Sequence, residues 1–195
     1  MDKNKREELA KQFKKTTDKL GMSIDSGIFD LIVTLNALGF PTSASCEGHL
    51  DRGVAAPWVD IQPKMTSEIQ TKKEEMQSLW REIKKMESEG KPKTEIMMIL
   101  DKFHQIEKEV NKPLLLMAEK LMNLLNEFYK SYSTEAETML IMRKVGSVAI
   151  RMESQGAIVQ EVKTKQVKEG CLLKYQSEME KFSAFVKNKL IDSNK

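Results

Sequence analysis

From Thr66 to Phe128 the chain shows one pattern, apolar residues returning every three or four positions, and this stretch limits the fold more than any other feature. Thr66 caps a helix that carries Ile69, Met76, Leu79, Ile83 and Met86 at heptad-like spacing. Gly90-Lys-Pro-Lys makes a turn, and Ile96, Ile99, Leu100, Phe103, Ile106 and Val110 lie on a returning helix. Pro113 suits the first turn of a third stretch running through Leu125 and Phe128. Residues 64–131 are therefore expected to form a long inserted helical hairpin. Two helices cannot hide this much apolar surface from each other. The hairpin is expected to pack on a sheet or on a second copy of the chain, and we favour self-association.

On either side of the hairpin the period changes. Residues 4–19 read as a charged, solvated helix with Leu9, Phe13 and Leu20 as its apolar contacts. Asp25 or Ser26 can cap a second helix with Ile28, Leu31, Ile32 and Leu35 on one face, ended by Gly39. Pro41 forces extended backbone, and Thr42 to Ser45 suit a short strand or tight loop. Glu47 to Gly53 must be a loop, and Pro57-Trp-Val-Asp-Ile-Gln-Pro63 alternates as a strand does. After the hairpin, Thr138–Val145 and Val148–Ser154 read as two strands around Gly146-Ser147, with Gly156–Val162 as a further edge strand. A last helix over 163–192 places Val167, Cys171, Tyr175, Met179, Phe182, Val186 and Leu190 on one stripe. The expected fold class is α+β: a small mixed β-sheet flanked by helices, with the hairpin inserted. A chain of 195 residues has the length of a single domain, 1–195.

Composition narrows the function classes. The 32 basic and 29 acidic residues leave a net charge of +3, which argues against a large basic face that coats nucleic acid. Cys46 and Cys171 cannot build a disulfide framework and are expected as reduced thiols. The first ten residues lack the apolar core of a secretory signal, and Leu114–Ala118 is too short an apolar run to cross a bilayer. A cytoplasmic protein with no membrane contact is the expectation.

Most of the chain is accounted for by packing. The segment Thr42-Ser-Ala-Ser-Cys-Glu-Gly-His49 is not. Hydroxyls (Thr42, Ser43, Ser45), a thiol, a carboxylate, a glycine and an imidazole crowd between a helix and a strand, a mixture that strand propensity would not choose. Gly48 would let backbone approach a ligand, and short hydroxyl side chains leave amides open to anionic oxygens.

Four segments carry a family resemblance. The run Asp25-Ser-Gly-Ile-Phe-Asp-Leu-Ile-Val-Thr-Leu-Asn36, followed by Thr42-Ser-Ala-Ser-Cys-Glu-Gly48, resembles the N-terminal signature of the wybutosine-synthesis methyltransferases, which methylate a tricyclic guanine in phenylalanine tRNA. Val148-Ala-Ile-Arg-Met-Glu-Ser-Gln-Gly156 is similar to that family's Val-Ala-Ile-Arg strand, and Pro57-Trp-Val-Asp60 to its tryptophan-containing strand. Glu47 stands where the family has serine, His49 where it has arginine, and the helical hairpin replaces a strand and helix. The resemblance implies a shared core and a pocket in a shared place.

The candidate ligand-binding residues are Asn36, Thr42, Ser43, Ser45, Cys46, Glu47, Gly48, His49, Trp58, Asp60 and Arg151. Each has a plainer reading beside it. Cys46 is either a nucleophile with His49 as base or a core thiol, and the sequence shows no third member to orient the pair. Cys46 and His49 have half-site spacing for zinc, but a full Cys2His2 set would need His104 and Cys171 to converge on them, so no metal site is assigned. Glu47, Asp51 and Asp60 are acids, bases, hydroxyl acceptors or solvated loop carboxylates. Arg151 is the leading candidate for a bidentate contact to an anion, ahead of Arg52 and Arg143. Trp58 stacks on a ligand ring or packs in the core, and Asn36 caps its helix or bonds into the pocket.

Three functions fit. The first is a protein that binds or sequesters a small anionic ligand, a nucleotide being the natural choice, with no certain cofactor. The second, implied by the resemblance, is an S-adenosylmethionine-dependent methyltransferase acting on a tRNA base. The third is an adaptor or structural module that uses the helical hairpin.

Overall fold

A computed structural model of the protein describes residues 3–17, 21–146 and 148–192. Leu20 and Ser147 lie outside them. Two compact units are present, one of residues 1–62 with 118–195, the other of residues 63–117.

The first unit is α+β. It holds helices α1 (Lys3–Phe13) and α2 (Ser26–Ala37), strands β1 (Thr42–Cys46), β2 (Trp58–Ile61), β3 (Leu140–Val145) and β4 (Ala149–Ser154), and helix α5 (Lys165–Asp192). The strands form one sheet in the order β1-β2-β4-β3. Every pairing is antiparallel, so the sheet is not mixed. Strand alternation sends Val59, Ile61, Ile150 and Met152 to one face, where all four are buried, and Trp58, Asp60, Arg151 and Glu153 to the other. Helix α2 buries Ile28, Leu31, Ile32, Val33 and Leu35, and α5 buries Tyr175, Met179, Phe182, Val186 and Leu190. Phe128 meets Phe182 edge-on, with ring centroids 5.4 Å apart.

The second unit is a helical hairpin of α3 (Ser67–Ser88) and the first part of α4 (Lys93–Ser131). Thr66 accepts the Ile69 N–H as an N-cap. Leu79, Ile106 and Val110 form its core, with Ile69, Met76, Ile99 and Phe103 packed around them.

Four local expectations need correction. Pro113 does not open a new helix but sits inside α4. An interior proline costs about 3 kcal/mol, yet Val110 and Leu114 on either side of it are both buried, and that apolar stripe keeps the segment helical. Gly156–Val162 is no edge strand. After Gln155 and Gly156 donate to the Met139 and Glu137 carbonyls, the chain coils into a 3-10 segment, Gln155–Val162. A Cβ on Gly156 would lie 2.2 Å from the Tyr175 hydroxyl, so the chain is pressed on α5 there and cannot stay at the sheet edge. Helix α1 stops at Phe13, short of the expected 19, where β-branched Thr16 and Thr17 follow. Helix α2 begins after Asp25, but the Asp25 side chain makes no capping bond. No helix among the described residues is long and apolar enough to cross a membrane.

Candidate functional site

Two carboxylates build the site by exchanging partners. Asp25 precedes α2, where it would ordinarily cap the helix. Instead its Oδ2 accepts the backbone N–H of Glu47, 3.1 Å away. Glu47 returns the contact, its Oε2 accepting the Gly27 N–H in the first turn of α2 at 2.8 Å. A negative charge there is well placed against the positive end of the helix. The side-chain amide of Gln176 on α5 donates to the Glu47 carbonyl at 3.0 Å. The chain after β1 is thus tied to α2 and α5.

That tie shapes the next turn. Gly48 has φ +85°, and a Cβ on it would lie 2.7 Å from the Ala56 carbonyl carbon and from Leu172. Its lack of a side chain therefore serves internal packing. The His49 N–H donates to the Val54 carbonyl at 3.3 Å and closes the loop. Three side chains are brought together: the Asp25 carboxylate, the Cys46 sulfur and a His49 ring nitrogen lie within 4.8 Å of one another. His49 Nε2 is 3.3 Å from Asp25 Oδ2 and 3.2 Å from an Arg52 guanidinium nitrogen, which is 3.8 Å from Asp25 Oδ1. The Gly48 N–H points at Cys46 Sγ, 3.3 Å away. Burial pushes the Cys46 thiol above its ordinary pKa; the Gly48 amide acts the other way, and the Asp25 charge adds to the rise. At neutral pH this is a thiol, a weak nucleophile.

These groups lie on the wall of a cleft of about 590 Å³. Thr42, Ser43, Ser45, Cys46, His49 and Trp58 line it. Asn36 does not: its amide donates to the Ile32 carbonyl and to Thr42 Oγ1, both at 2.8 Å, and fastens β1 to the end of α2. Glu47 faces a separate cavity of about 230 Å³ with Ser26, Gly27 and Gln176. Arg151 grips Asp60 with two bonds of 2.7 and 2.8 Å and stacks on Trp58, 3.8 Å from the ring centroid. It supports the cleft from behind Trp58 without lining it, and Asp60 holds its charge. Arg143 donates through Nε alone to the buried Glu153 carboxylate. Cys171 belongs elsewhere, with Glu137 and Lys163.

Asp25, Thr16 and Thr17 are cleft residues absent from the candidates chosen on sequence, and Arg52, ranked there behind Arg151, lines the cleft where Arg151 does not. Arg52 had a signal, as a cation three residues from His49 in a glycine-bounded loop. Asp25 was masked by its position, since an aspartate before a helix reads as a cap. No family model, curated protein or solved structure matches this chain.

Proposed function

We propose that the protein binds or sequesters a small anionic ligand of the nucleotide class in the cleft beside β1, on a wybutosine-methyltransferase-like core and in the cytoplasm. The observation that carries this reading is the lining itself: a row of hydroxyls from Thr42, Ser43 and Ser45, the indole of Trp58, and Arg52, whose side chain is 54% exposed. Arg52 and the hydroxyls meet the phosphates, and Trp58 meets the base. Asp25 is already bonded and the Cys46 thiol is protonated, so the arrangement favours holding a ligand over transforming it.

Thermal unfolding of the full chain with nucleotides, dinucleotides and S-adenosylmethionine tests this. At a hundredfold excess over Kd, a ligand of the folded state adds about 2.7 kcal/mol. Stabilisation by a nucleotide, weakened by Arg52→Gln, is the expected result. Stabilisation by S-adenosylmethionine alone would transfer the assignment to a tRNA-base methyltransferase, and no response to any of them would overturn ligand binding.

A second reading concerns the hairpin unit. Trp80, Met97, Met98, Leu115 and Leu116 are exposed there, more apolar surface than a solvated hairpin needs. They support a homo-oligomer formed through the hairpin. Light scattering should give a mass above 22.4 kDa that falls to the monomer in Met98→Lys with Leu115→Lys. A monomeric parent chain would end this reading.

A further inference from the structure

We infer that Asp25, Cys46 and His49 form a three-ligand site for a zinc-class transition-metal ion, with its remaining coordination position open to the cleft. One carboxylate oxygen, one sulfur and one imidazole nitrogen suit a borderline-soft ion. Calcium and magnesium, which prefer all-oxygen shells, do not fit a sulfur ligand. Three protein ligands plus an open position is the arrangement of zinc sites that bind or activate exogenous groups.

The spacing agrees with the donor set. Two ligands each about 2.0–2.1 Å from a tetrahedral ion are separated by roughly 3.3 Å, and His49 Nε2 lies 3.3 Å from Asp25 Oδ2. The sulfur completes a triangle with no separation above 4.8 Å, so closing on an ion needs a shift of about an ångström, within a side-chain rotation. The Gly48 N–H directed at Cys46 Sγ is the kind of outer bond that steadies a metal thiolate, and the Glu47 N–H does the same for Asp25. The ligands come from the start of α2, the end of β1 and the loop beyond. The Asp25–Glu47 exchange, the Gln176 bond and the His49–Val54 bond fix the backbone of all three.

Arg52 supplies the second argument. One guanidinium nitrogen lies 3.2 Å from His49 Nε2 and 3.8 Å from Asp25 Oδ1, so a cation already sits beside two of the three ligands. The exposed Arg52 side chain can swing out when a metal takes its place. The protonated thiol loses its proton to solvent as the sulfur–metal bond forms.

The inference does not rest on nucleotide binding, because metal uptake is measured with no nucleotide present. The full chain, stripped with chelator, is titrated with cobalt(II) as a spectroscopic substitute and then with zinc. About one equivalent should bind, with thiolate-to-cobalt absorption. Cys46→Ser should abolish that absorption, and Asp25→Asn and His49→Gln should each weaken uptake by more than about tenfold. Arg52→Gln should tighten it, because the competing cation is gone. In the unmodified chain, zinc should slow alkylation of Cys46 and leave Cys171 unchanged, a readout that does not depend on any variant folding. Absence of a cobalt–thiolate signal, uptake that survives Cys46→Ser, weaker uptake in Arg52→Gln, or zinc protecting neither cysteine would each overturn the assignment.

Discussion

In the hairpin unit Lys72 reaches Glu68 one turn away and Glu109 on the returning helix; in the loop after β1, Asp25 and Glu47 exchange partners across more than twenty residues of sequence. Both regions are rich in charge. In the hairpin, charge decorates a surface whose shape is already set by Leu79, Ile106 and Val110. Near the loop, charge decides the shape, because the carboxylates replace contacts that an apolar core would make. The same substitution should therefore have different consequences in the two places.

Glycine gives the widest separation. Gly90 and Gly48 both have positive φ, +67° and +85°. No atom lies within 4 Å of a Cβ placed on Gly90, so Gly90→Ala should cost only the conformational term, about 1 kcal/mol. Gly48→Ala adds a collision with Ala56 backbone, and the total should reach about 3 kcal/mol or more. Urea unfolding curves measure both, and equal costs would erase the contrast.

Ion pairs come next. Arg151 and Asp60 form a bidentate pair with side chains 18% and 10% exposed, whereas Lys102 and Glu75 are 58% and 44% exposed. A double-mutant cycle should return a coupling of about 2 kcal/mol for the first pair and about 0.3 kcal/mol for the second. A weak coupling at Arg151 would mean that Trp58, not Asp60, holds the guanidinium.

Helix caps are a closer match. Thr66 caps α3 from the adjacent position, and Glu47 serves α2 from another part of the chain. Thr66→Ala and Glu47→Ala should each lose about 1 kcal/mol. Only Glu47→Ala should also increase proteolytic cutting between residues 47 and 56, since only it loosens a loop. Identical cutting in both variants would show that the Asp25 bond alone holds the loop.

The difference between the regions also explains what could be read in the sequence. The α+β class, the hairpin and the Thr66 cap were legible because they depend on periodicity and on neighbours within four residues. The polar run Thr42–His49 stood out for the same reason, its composition being wrong for a core strand, and most of it lines the cleft. The partners were not legible. Nothing local says that Asp25 abandons its helix, that Glu47 takes over the cap, or that Asp60 saturates Arg151 from a neighbouring strand. Pro113 and Gly156 mislead for a related reason: a buried stripe overrides one, and contact with Tyr175 redirects the chain at the other.

The smallest effect should appear only in acid. Glu137 is held at about 2, first by Lys163, then by the Tyr175 hydroxyl and the Cys171 thiol, whereas Glu68 is lowered by Lys72 on an open helix surface. The folded-state pKa of Glu137 lies below its ordinary 4.5, so its ionised form stabilises the fold above that pH. The contribution drains away as pH falls from 4.5 toward 2. With the Glu137 side chain 44% exposed, solvent screens much of it. Glu137→Gln should unfold more readily than the parent chain at pH 6, and the gap should narrow steadily below pH 4.5. Glu68→Gln should track the parent chain throughout, because its lysine neighbour gains little from a fully hydrated partner. A Glu137→Gln deficit that stays constant down to pH 2 would show that its carboxylate acts through shape, as the hairpin apolar residues do, and not through charge.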